Sequence, residues 1–328
     1  MTQSRSTPAI SRSVRLDLGG DWGQANFHRI LSWITQEFCD RAGPLSKTRI
    51  HSIVGGGLAS MYDVASGDLD LCIATPNRLL PAMRTGSGIF EGGPDMRGMR
   101  ALAVLPQVDR MVLAIAPRHG IHSIEDLRRK KPPIRLAISH NTDGNFIGYV
   151  GDKYLAAHGL SEAMIREWGG ECIRAHRPDA CLALVQQGLA DAVLQEAIMT
   201  PWWRDLIESG VVTPISAEPE ALAKMAAEMG LPAQTIAPGY WKGQTEPIHS
   251  VDFSDFLIMV REDMSEDVAY LLTWCFVETR SVIEAQYRHI PPERSPLSYP
   301  LDPVAMSQPS LPLHPGALRY YREAGILS

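Results

Sequence analysis

The sequence predicts an α/β fold that consists of two similar domains. Short apolar segments of strand length alternate with segments of helical periodicity along most of the chain. This alternation is typical of parallel sheets whose faces are covered by helices. One local unit, in which a helix ends at glycine and a strand begins at aspartate, occurs twice. The length of 328 residues, with 45% hydrophobic and 21% charged residues, suits about two globular domains.

The first third of the chain contains five predicted strands. They are 14–20, 49–57 with its terminal glycines, 69–74, 101–105 and 111–116. A helix after the first strand is indicated by apolar residues at helical spacing, namely Phe27, Ile30, Leu31, Ile34 and Phe38. A second helix is predicted around 58–65. Each strand is thus followed by a glycine-containing turn, a helix or another strand.

The rest of the chain follows the same plan. Ser123 is expected to cap the helix IEDLRRK, with Asp126 at the third helical position. Strands are predicted at 135–139, 191–195 and 256–260. Helices are predicted after 139–145, before Gly188, around 265–288 and at 315–324, and the proline-rich stretch 291–312 is expected to be extended.

The repeated unit supports two related domains. Val64-x-x-Gly67-x-x-Asp70 is followed by the strand residues Leu-Cys-Ile, and Val185-x-x-Gly188-x-x-Asp191 is followed by Ala-Val-Leu. Glycine is the usual residue at which a helix stops. Two copies of one plan favour two similar α/β domains.

Charge and cysteine content exclude several functional classes. The net charge is −6, and the longest basic run is RRKK at 128–131, so nucleic acid is not an expected partner. The five cysteines are scattered and form no CxxC, which argues against a disulfide framework or a zinc site and is compatible with a reducing compartment. No apolar run reaches about 18 residues, so no membrane insertion is expected.

The first 18 residues lack an apolar core of signal-peptide length. As written, the sequence predicts a cytoplasmic protein. The alternative is a periplasmic protein whose export signal was trimmed from the sequence.

Five loops follow predicted strands and are candidates for a ligand site: 19–24, 55–60, 75–78, 139–146 and 195–203. Ligands of open α/β sheets lie beyond the carboxyl ends of the strands, and helix N-termini there suit a carboxylate. The predicted ligand-binding residues are Asp21, Trp22, Gly56, Gly57, Ser60, Asn77, His140, Asn141, Asn145, Glu196, Trp202 and Tyr240.

Alternatives remain for several of these residues. Helix capping by Asn141, Thr142 or Asp143 competes with ligand binding in the loop SHNTDGN, and Asp143 is assigned to capping. The glycines at 55–57 lack a following GK[ST] or a GxGxxG pattern. They favour backbone N–H groups that face a carboxylate, or a simple tight turn, over a nucleotide, and no cofactor is expected.

The aromatic residues near these loops allow two interpretations. Singly, each is typical of core or surface packing, whereas together they are compatible with an aromatic or otherwise flat acid. They are Trp22, Trp202, Trp203, Tyr240 and Trp241. Arg110, which opens a predicted strand, can hold a carboxylate with two hydrogen bonds or form a salt bridge at a hinge.

Catalytic and metal motifs are weak. His119 and His122, followed by Glu125 and Asp126, lie on a turn into a helix with no further ligand group evident, so no metal is expected. No GxSxG or SxxK element indicates a nucleophilic hydrolase.

Three segments resemble the TAXI family of solute-binding proteins, which serve TRAP-type tripartite transporters. They are IHSIVGGGLASMYDVASGDLDLCIATP, HGIHSIEDLRRKKPPIRLAIS and the tail LPLHPGALRYYREAGI, of which the tail is the most specific. The resemblance covers about 14–326. It implies a type II periplasmic-binding-protein fold with a ligand cleft between two lobes, formed by 14–118 plus 250–328 and by 119–249.

Two functions follow from this resemblance. The first is binding of a small organic acid, with TRAP-type membrane subunits as partners, or with a sensing role inside the cell. The second is a cofactor-independent decarboxylase of an aromatic acid, such as 4,5-dihydroxyphthalate decarboxylase, because that fold also hosts such enzymes. His140 would then supply the proton, with Asp21 on a facing loop. Binding is favoured over catalysis.

Overall fold

The computed structural model describes residues 7–21, 26–142, 144–198 and 200–328. These residues contain twelve strands, which include all eight of the predicted ones. The strands are β1 (Arg15–Asp21), β2 (Lys47–Ile53), β3 (Leu71–Ala74), β4 (Met99–Leu105), β5 (Arg110–Ile115), β6 (Arg135–Ser139), β7 (Glu171–Ala175), β8 (Ala192–Glu196), β9 (Thr213–Ile215), β10 (Ala233–Ile236), β11 (Ile248–Asp252) and β12 (Phe256–Arg261).

Twelve α-helices occur in the same part of the chain. They are α1 (Asn26–Cys39), α2 (Leu58–Ser66), α3 (Ile124–Lys130), α4 (Phe146–Ala157), α5 (Glu162–Glu167), α6 (Pro178–Gln186), α7 (Thr200–Glu208), α8 (Pro219–Met229), α9 (Glu266–Glu278), α10 (Arg280–Ala285), α11 (Pro303–Met306) and α12 (Pro315–Glu323). Short 3₁₀ helices span Asn77–Arg84, Gly88–Phe90, Pro117–His119 and Pro292–Arg294. The predicted capping of α3 is confirmed, because the Ser123 hydroxyl accepts the Asp126 N–H at 3.0 Å.

The chain divides into two compact units. Unit 2 is Val108–Ser254, and unit 1 comprises the chain up to Gln107 together with Asp255–Ser328. These boundaries differ from 118/119 and 249/250 because β5 pairs with β8 and β11 pairs with β5. Both strands therefore belong to the sheet of unit 2.

Unit 1 contains a five-stranded sheet in the order β2-β1-β3-β12-β4. The first three strands are parallel, whereas β12 runs antiparallel to both β3 and β4. The sheet is thus mixed and not purely parallel, because the chain returns from unit 2 into a position between β3 and β4. Helix α1 buries the predicted apolar face against this unit.

Unit 2 contains a seven-stranded sheet in the order β10-β11-β5-β8-β6-β7, with β9 paired to β5. Strands β6, β7 and β8 are parallel, and β5 is antiparallel to β8. The carboxyl ends of the three parallel strands therefore lie beside the start of β5. We call this rim the unit 2 edge, and the carboxyl ends of β1, β2 and β3 the unit 1 edge.

The repeated aspartates make equivalent bonds in the two units. The Asp70 carboxylate accepts the Asp17 N–H at 2.8 Å, while Asp70 N donates to Asp17 O. In unit 2, Asp191 accepts the Arg135 N–H at 2.7 Å and donates to Arg135 O. Each aspartate thus fastens the start of one strand to its parallel neighbour.

The C-terminal tail is part of unit 1. The Tyr321 hydroxyl, on α12, lies within hydrogen-bonding distance of Leu102 O and Met306 O, at 3.2 and 3.1 Å. The stretch 291–312, expected to be extended, includes the short helix α11. In the described part of the chain, no helix combines the length and the apolar character needed to cross a membrane.

Candidate functional site

The unit 2 edge collects polar side chains and helix starts. Helices α4, α6 and α7 each begin within a few residues of the carboxyl ends of β6, β7 and β8. Their first N–H groups and their dipoles favour negative charge at this rim. The sequence expectation that loops 139–146 and 195–203 follow parallel strands therefore agrees with the topology.

Arg110 is a buried cation at this edge. Its side chain is 7% exposed, Nε donates to Gln234 Oε1 at 2.8 Å, and the guanidinium carbon lies 5.2 Å from the centre of the Tyr240 ring. Within the described ranges, no carboxylate forms an ion pair with Arg110, and its two terminal nitrogens donate no hydrogen bond. Burying a charge without a partner is costly, so this guanidinium is suited to an anion supplied from outside the chain.

Asp109 is a buried carboxyl group next to Arg110, and the half-buried Glu196 ends the neighbouring strand β8. Asp109 is 1% exposed, and its Oδ1 accepts the N–H groups of Arg110 and Ala197 at 2.7 and 3.0 Å. Oδ2 of Asp109 is buried and has no hydrogen-bonding partner among the described residues. An ionised carboxylate is costly in such a place.

The pKa values of this pair are raised. Burial is the main cause for both groups. It raises the pKa of Asp109 to about 7, against the opposing effect of the Arg110 charge and of the bonds to Oδ1. For Glu196, burial and then the negative charge of Asp109 raise the pKa well above its ordinary value. The two groups titrate as a unit.

Gln195 is a second polar group at the same edge. It is fully buried, and its Nε2 donates to the Ser139 hydroxyl at 2.6 Å and to Cys181 Sγ at 3.1 Å. Its Oε1 has no hydrogen-bonding partner in the part of the chain that is described. An acceptor left unpaired at this depth is uncommon in folded proteins.

The predicted residues of loop 139–146 separate into different roles. His140 is half-buried, and its ring centre lies 6.5 Å from that of His176. Asn141 is exposed and donates to the Asp152 carboxylate. Asn145 caps α4, because its Oδ1 accepts the Gly148 N–H at 3.0 Å while its Nδ2 donates to His176 O at 3.3 Å. Asn141 and Asn145 thus use their side chains in hydrogen bonds within unit 2, whereas the contact described for the His140 side chain is with the His176 ring.

The assignment of capping to Asp143 falls outside the described residues. The structure shows that Asn145 occupies the N-cap position, directly before the first helical residue. Gly148 allows the loop to approach the helix closely, because a Cβ at this position would lie 1.7 Å from His140 O. In the sequence, the close approach of this loop to the helix is indicated by a glycine in the first turn of an apolar helix.

The predicted residues of unit 1 lie at the other edge. Gly56 and Gly57 have φ angles of 149° and 115°, and Ser60 is buried in the first turn of α2. The buried Asn77 accepts the Ser310 N–H at 3.1 Å, and its backbone O accepts the Ser310 hydroxyl at 2.6 Å. Asn77 is therefore bonded to the C-terminal segment of unit 1. Trp22 lies outside the described residues, and only the backbone of Asp21 is described, at the end of β1.

The aromatic residues of unit 2 have contrasting environments. Trp203 and Trp241 are buried in the core, and Trp203 Nε1 donates to Glu196 O at 2.8 Å. Trp202 is 46% exposed, whereas Tyr240 is half-buried under Arg110. The structure thus brings Tyr240 and Glu196 to the edge with Arg110, and makes Trp203 and Trp241 part of the packing.

Several functional candidates were not singled out from the sequence. Asp109, Gln195, His176 and Gln234 are examples. The available signals were a charged Asp-Arg pair directly before an apolar strand and a glutamine at the end of the apolar run DAVL. For metal binding, the described residues contain no group of three suitable side chains, and His119 Nε2 lies 3.5 Å from the Asp191 carboxylate.

Solved structures share this architecture. A protein from Bordetella bronchiseptica RB50 is 12% identical with a TM-score of 0.52, over 95% of this chain and 98% of that one. A periplasmic transporter is 13% identical with a TM-score of 0.49, over 96% and 93%. An ancestral arginine-binding protein bound to arginine is 11% identical with a TM-score of 0.44, over 84% and 98%. A search of curated proteins finds no match.

The fold is therefore a mixed α/β, two-sheet fold, which the Bordetella bronchiseptica protein shares. At these identities the likeness concerns the fold and not the ligand. The family model gives the further assignment, because the NMT1-like family matches residues 44–325. Since this match spans most of the chain, from β2 to the end of α12, the protein belongs to the NMT1-like family.

Proposed function

We propose that this protein binds a small organic acid and that the carboxylate of the acid lies on Arg110. The observation that carries the proposal is the buried guanidinium, which has no carboxylate partner in the described chain and lies at an edge where three helices begin. A guanidinium presents two parallel N–H donors that match a carboxylate. The ligand would supply the missing negative charge.

The surroundings of Arg110 restrict how the ligand enters. Gln234 Oε1 takes the Nε–H, and this bond leaves the terminal nitrogens for the ligand. Tyr240 covers the guanidinium at 5.2 Å and limits the approach of water. A flat acid fits an edge that a tyrosine ring covers. An aromatic carboxylate is therefore the preferred ligand class.

The wider role is proposed to be that of a solute-binding protein. The resemblance to the TAXI group supports this, and with it a transporter of the TRAP type as the membrane partner. The alternative role is to sense or hold the acid inside the cell without delivering it to a transporter.

Binding is tested on the purified full chain. Native mass spectrometry identifies any acid that co-purifies, and calorimetry measures binding of benzoate, with the neutral benzamide as the matched ligand. Loss of a charge-assisted pair costs about 1.5–3 kcal/mol per hydrogen bond, so Arg110→Gln should reduce benzoate affinity roughly ten- to a hundredfold. Arg166→Gln, an exposed arginine paired to Glu162 in the same unit, is the control. Equal affinity in wild type and Arg110→Gln would contradict the proposal.

Decarboxylation of an aromatic acid is the second candidate. The observation that favours it is that Asp109 and Glu196, close to Arg110 in the fold, have pKa values raised by burial. In that reaction the bond between the ring carbon and the carboxylate breaks, carbon dioxide leaves, and the ring carbon takes a proton from an acid such as His140 or this pair. Release of carbon dioxide from 4,5-dihydroxyphthalate, lost in His140→Ala, would favour the enzyme over the binding protein.

A further inference from the structure

We propose that Gln234 is a positioning residue that keeps Arg110 open to an anion by holding Asp252 away from it. Asp252 is then an internal counter-ion of the guanidinium, near enough to neutralise it and restrained from doing so. The inference rests on the proposed function for the anion that Arg110 binds. The restraint itself is a property of the free protein and is measurable without a ligand.

Asp252 is placed to pair with Arg110. Strand β11 runs antiparallel to β5, and Asp252 lies directly opposite Arg110 in the register. Side chains of directly opposed residues point to the same face of a sheet, with their Cβ atoms roughly 4.5–5.5 Å apart. A carboxylate and a guanidinium at this separation can form a cross-strand ion pair. The register alone would therefore predict that Asp252 neutralises Arg110.

The bonds of the Asp252 carboxylate differ from that expectation. Its Oδ1 accepts the Gln234 Nε2–H and the Ser254 N–H, both at 3.1 Å. In the described part of the chain, Asp252 and Arg110 form no ion pair, although both bond to the same amide. The neutral side chain of Gln234 thus stands between two opposite charges that the register brings together.

The orientation of the Gln234 amide is fixed by its neighbours. Arg110 Nε can only donate, and it donates to Gln234 Oε1 at 2.8 Å. At the other end of the amide, Nε2 donates to Asp252 Oδ1 and to Ser254 Oγ, both at 3.1 Å. The Ser254 hydroxyl itself donates to Asp109 O at 3.1 Å, so its oxygen accepts from the amide. A rotated amide would place a donor against Arg110 and an acceptor against Asp252.

The sheet supplies the position of Gln234. Strand β10 pairs antiparallel with β11, with Gln234 opposite Ser250, so Gln234 is the diagonal neighbour of Asp252. The Asp252 N–H is held by Pro232 O at 2.9 Å, on the same pair of strands. Residues on strands hold their side chains more precisely than residues on loops. The amide is therefore presented to both charged groups by a rigid element.

An external anion and Asp252 are alternative partners of Arg110. Because Gln234 takes the Nε–H, the carboxylate of a ligand meets the two terminal nitrogens of the guanidinium. Any fraction of molecules in which Asp252 pairs with Arg110 lowers the apparent affinity for the ligand in proportion. By bonding to Asp252, Gln234 keeps that fraction small.

The restraint is tested first without ligand, on the purified full chain. Urea unfolding of Arg110→Gln, Asp252→Asn and the double variant gives the coupling energy between the two residues. The same cycle is then measured in Gln234→Ala, and in Gln234→Met as a second background that keeps the length of the side chain. Without the amide the carboxylate can reach the guanidinium, so the coupling should be larger in both backgrounds than in wild type. Coupling that is equal or smaller there overturns the inference.

Benzoate binding, measured by calorimetry, tests the consequence for the anion site. Gln234→Ala should bind benzoate on the order of tenfold more weakly than wild type, because Asp252 then occupies most of the guanidinium groups. Adding Asp252→Asn to Gln234→Ala should restore the affinity to within about threefold of wild type. Gln187→Ala, which changes an exposed glutamine of the same unit, is the control and should bind as wild type does.

The background dependence of Asp252→Asn separates this role from simple support of Arg110. In otherwise wild-type protein, this substitution should raise benzoate affinity by less than about threefold, because the charge is held away from the guanidinium. In Gln234→Ala it should raise the affinity on the order of tenfold. An equal gain in both backgrounds, or unchanged affinity in Gln234→Ala alone, overturns the inference and leaves the proposed function standing.

The unfolding cycles decide the inference if the proposed ligand is wrong. Absence of benzoate binding to wild type contradicts the proposed aromatic ligand. Larger coupling between Arg110 and Asp252 in the Gln234 variants would then still support the restraint, and unchanged coupling would overturn it.

Discussion

The unit 1 edge and the unit 2 edge differ in whether their buried polar side chains are hydrogen-bonded within the unit. At the unit 1 edge, Asn77 is bonded to Ser310, and the buried Ser60 hydroxyl lies 3.4 Å from Gly57 O. At the unit 2 edge, the Arg110 guanidinium lacks a carboxylate and Gln195 Oε1 lacks a donor among the described residues. Both edges stand at the carboxyl ends of parallel strands.

The comparison shows that position at a strand end does not by itself make a residue functional. The same topological rule selected Asn77 and His140 from the sequence. What differs is whether the side chain is already bonded within its own unit. A polar group that the fold has satisfied contributes to stability, whereas a buried group left unsatisfied is available to a ligand.

Replacing one glycine by alanine in each unit gives the largest expected difference in the free energy of unfolding. In Gly148→Ala the new Cβ would lie 1.7 Å from His140 O, a backbone atom that cannot move alone. In Gly19→Ala of β1 the nearest atom is the terminal Leu69 Cδ1 at 2.3 Å, which a rotation can move. We expect more than about 3 kcal/mol of destabilisation for Gly148→Ala and about 1 kcal/mol for Gly19→Ala. Urea unfolding measures both, and equal losses would remove the contrast.

The carboxyl pair of unit 2 gives the next effect, on the pH dependence of stability. A carboxyl group whose pKa is raised in the folded state contributes fully below its ordinary pKa of about 3.9. This contribution is lost as pH rises through about 7, where Asp109 titrates. Asp109→Asn should therefore be more stable than wild type above pH 7 by on the order of 2 kcal/mol, with a smaller gain at pH 5. A parallel pH profile for the two proteins would contradict this expectation.

Asn77 tests the opposite property of unit 1. Asn77→Ala removes the acceptor of the Ser310 N–H, so we expect a loss of about 1–2 kcal/mol in the free energy of unfolding. Affinity for benzoate should stay at the wild-type value. Chemical denaturation and calorimetry measure the two quantities on one preparation. Reduced binding by the folded variant would show that the unit 1 edge takes part in recognition.

Buried histidines give the smallest expected effect, and here the two units should behave alike. Burial lowers the pKa of His158 in unit 2 and of His314 in unit 1. His158 Nε2 accepts the Glu218 N–H at 3.1 Å, and His314 Nδ1 accepts the Gly316 N–H at 3.1 Å, so both rings act as neutral acceptors. Their contribution is present above the ordinary pKa of about 6.5 and is lost as pH falls below it.

Thermal melting between pH 7 and 5 checks this effect. The stability of His158→Gln relative to wild type should rise as pH falls over this range, because the Asp109 contribution changes equally in both proteins and only wild type must protonate His158. A His158→Gln profile as steep as that of wild type would indicate that His158 does not contribute to acid sensitivity.

Local patterns in the sequence were sufficient for most of the fold. Helix α1 and strand β6 lie where apolar spacing predicted them, because periodicity reports which side of an element is buried. The sheets are mixed because β5 and β12 pair antiparallel to their neighbours. Strand direction depends on the path of the chain between elements, which periodicity does not encode.

The candidate site was less predictable for a related reason. Glu196 was selected because it ends a strand, but its partner Asp109 lies in a distant part of the sequence and carries no motif. An asparagine before a helix is equally typical of capping and of ligand binding. For Asn145, the hydrogen bond that its Oδ1 accepts from the Gly148 N–H identifies capping. Arg110 is notable because no carboxylate of the described residues pairs with it, which depends on packing in three dimensions.

The position of β12 between β3 and β4 has a consequence for the order in which the chain acquires its structure during synthesis. Strand β12 separates β3 from β4 in the sheet of unit 1, so β4 has no strand neighbour in the described sheet until residues 256–261 leave the ribosome. The last helix, α12, adds the hydroxyl bonds of Tyr321 near the very end of the chain. Unit 2 is one continuous segment, and every strand of its sheet precedes β12. The unit in the middle of the sequence is therefore the first to be complete, although domains of most nascent chains mature from the N-terminus.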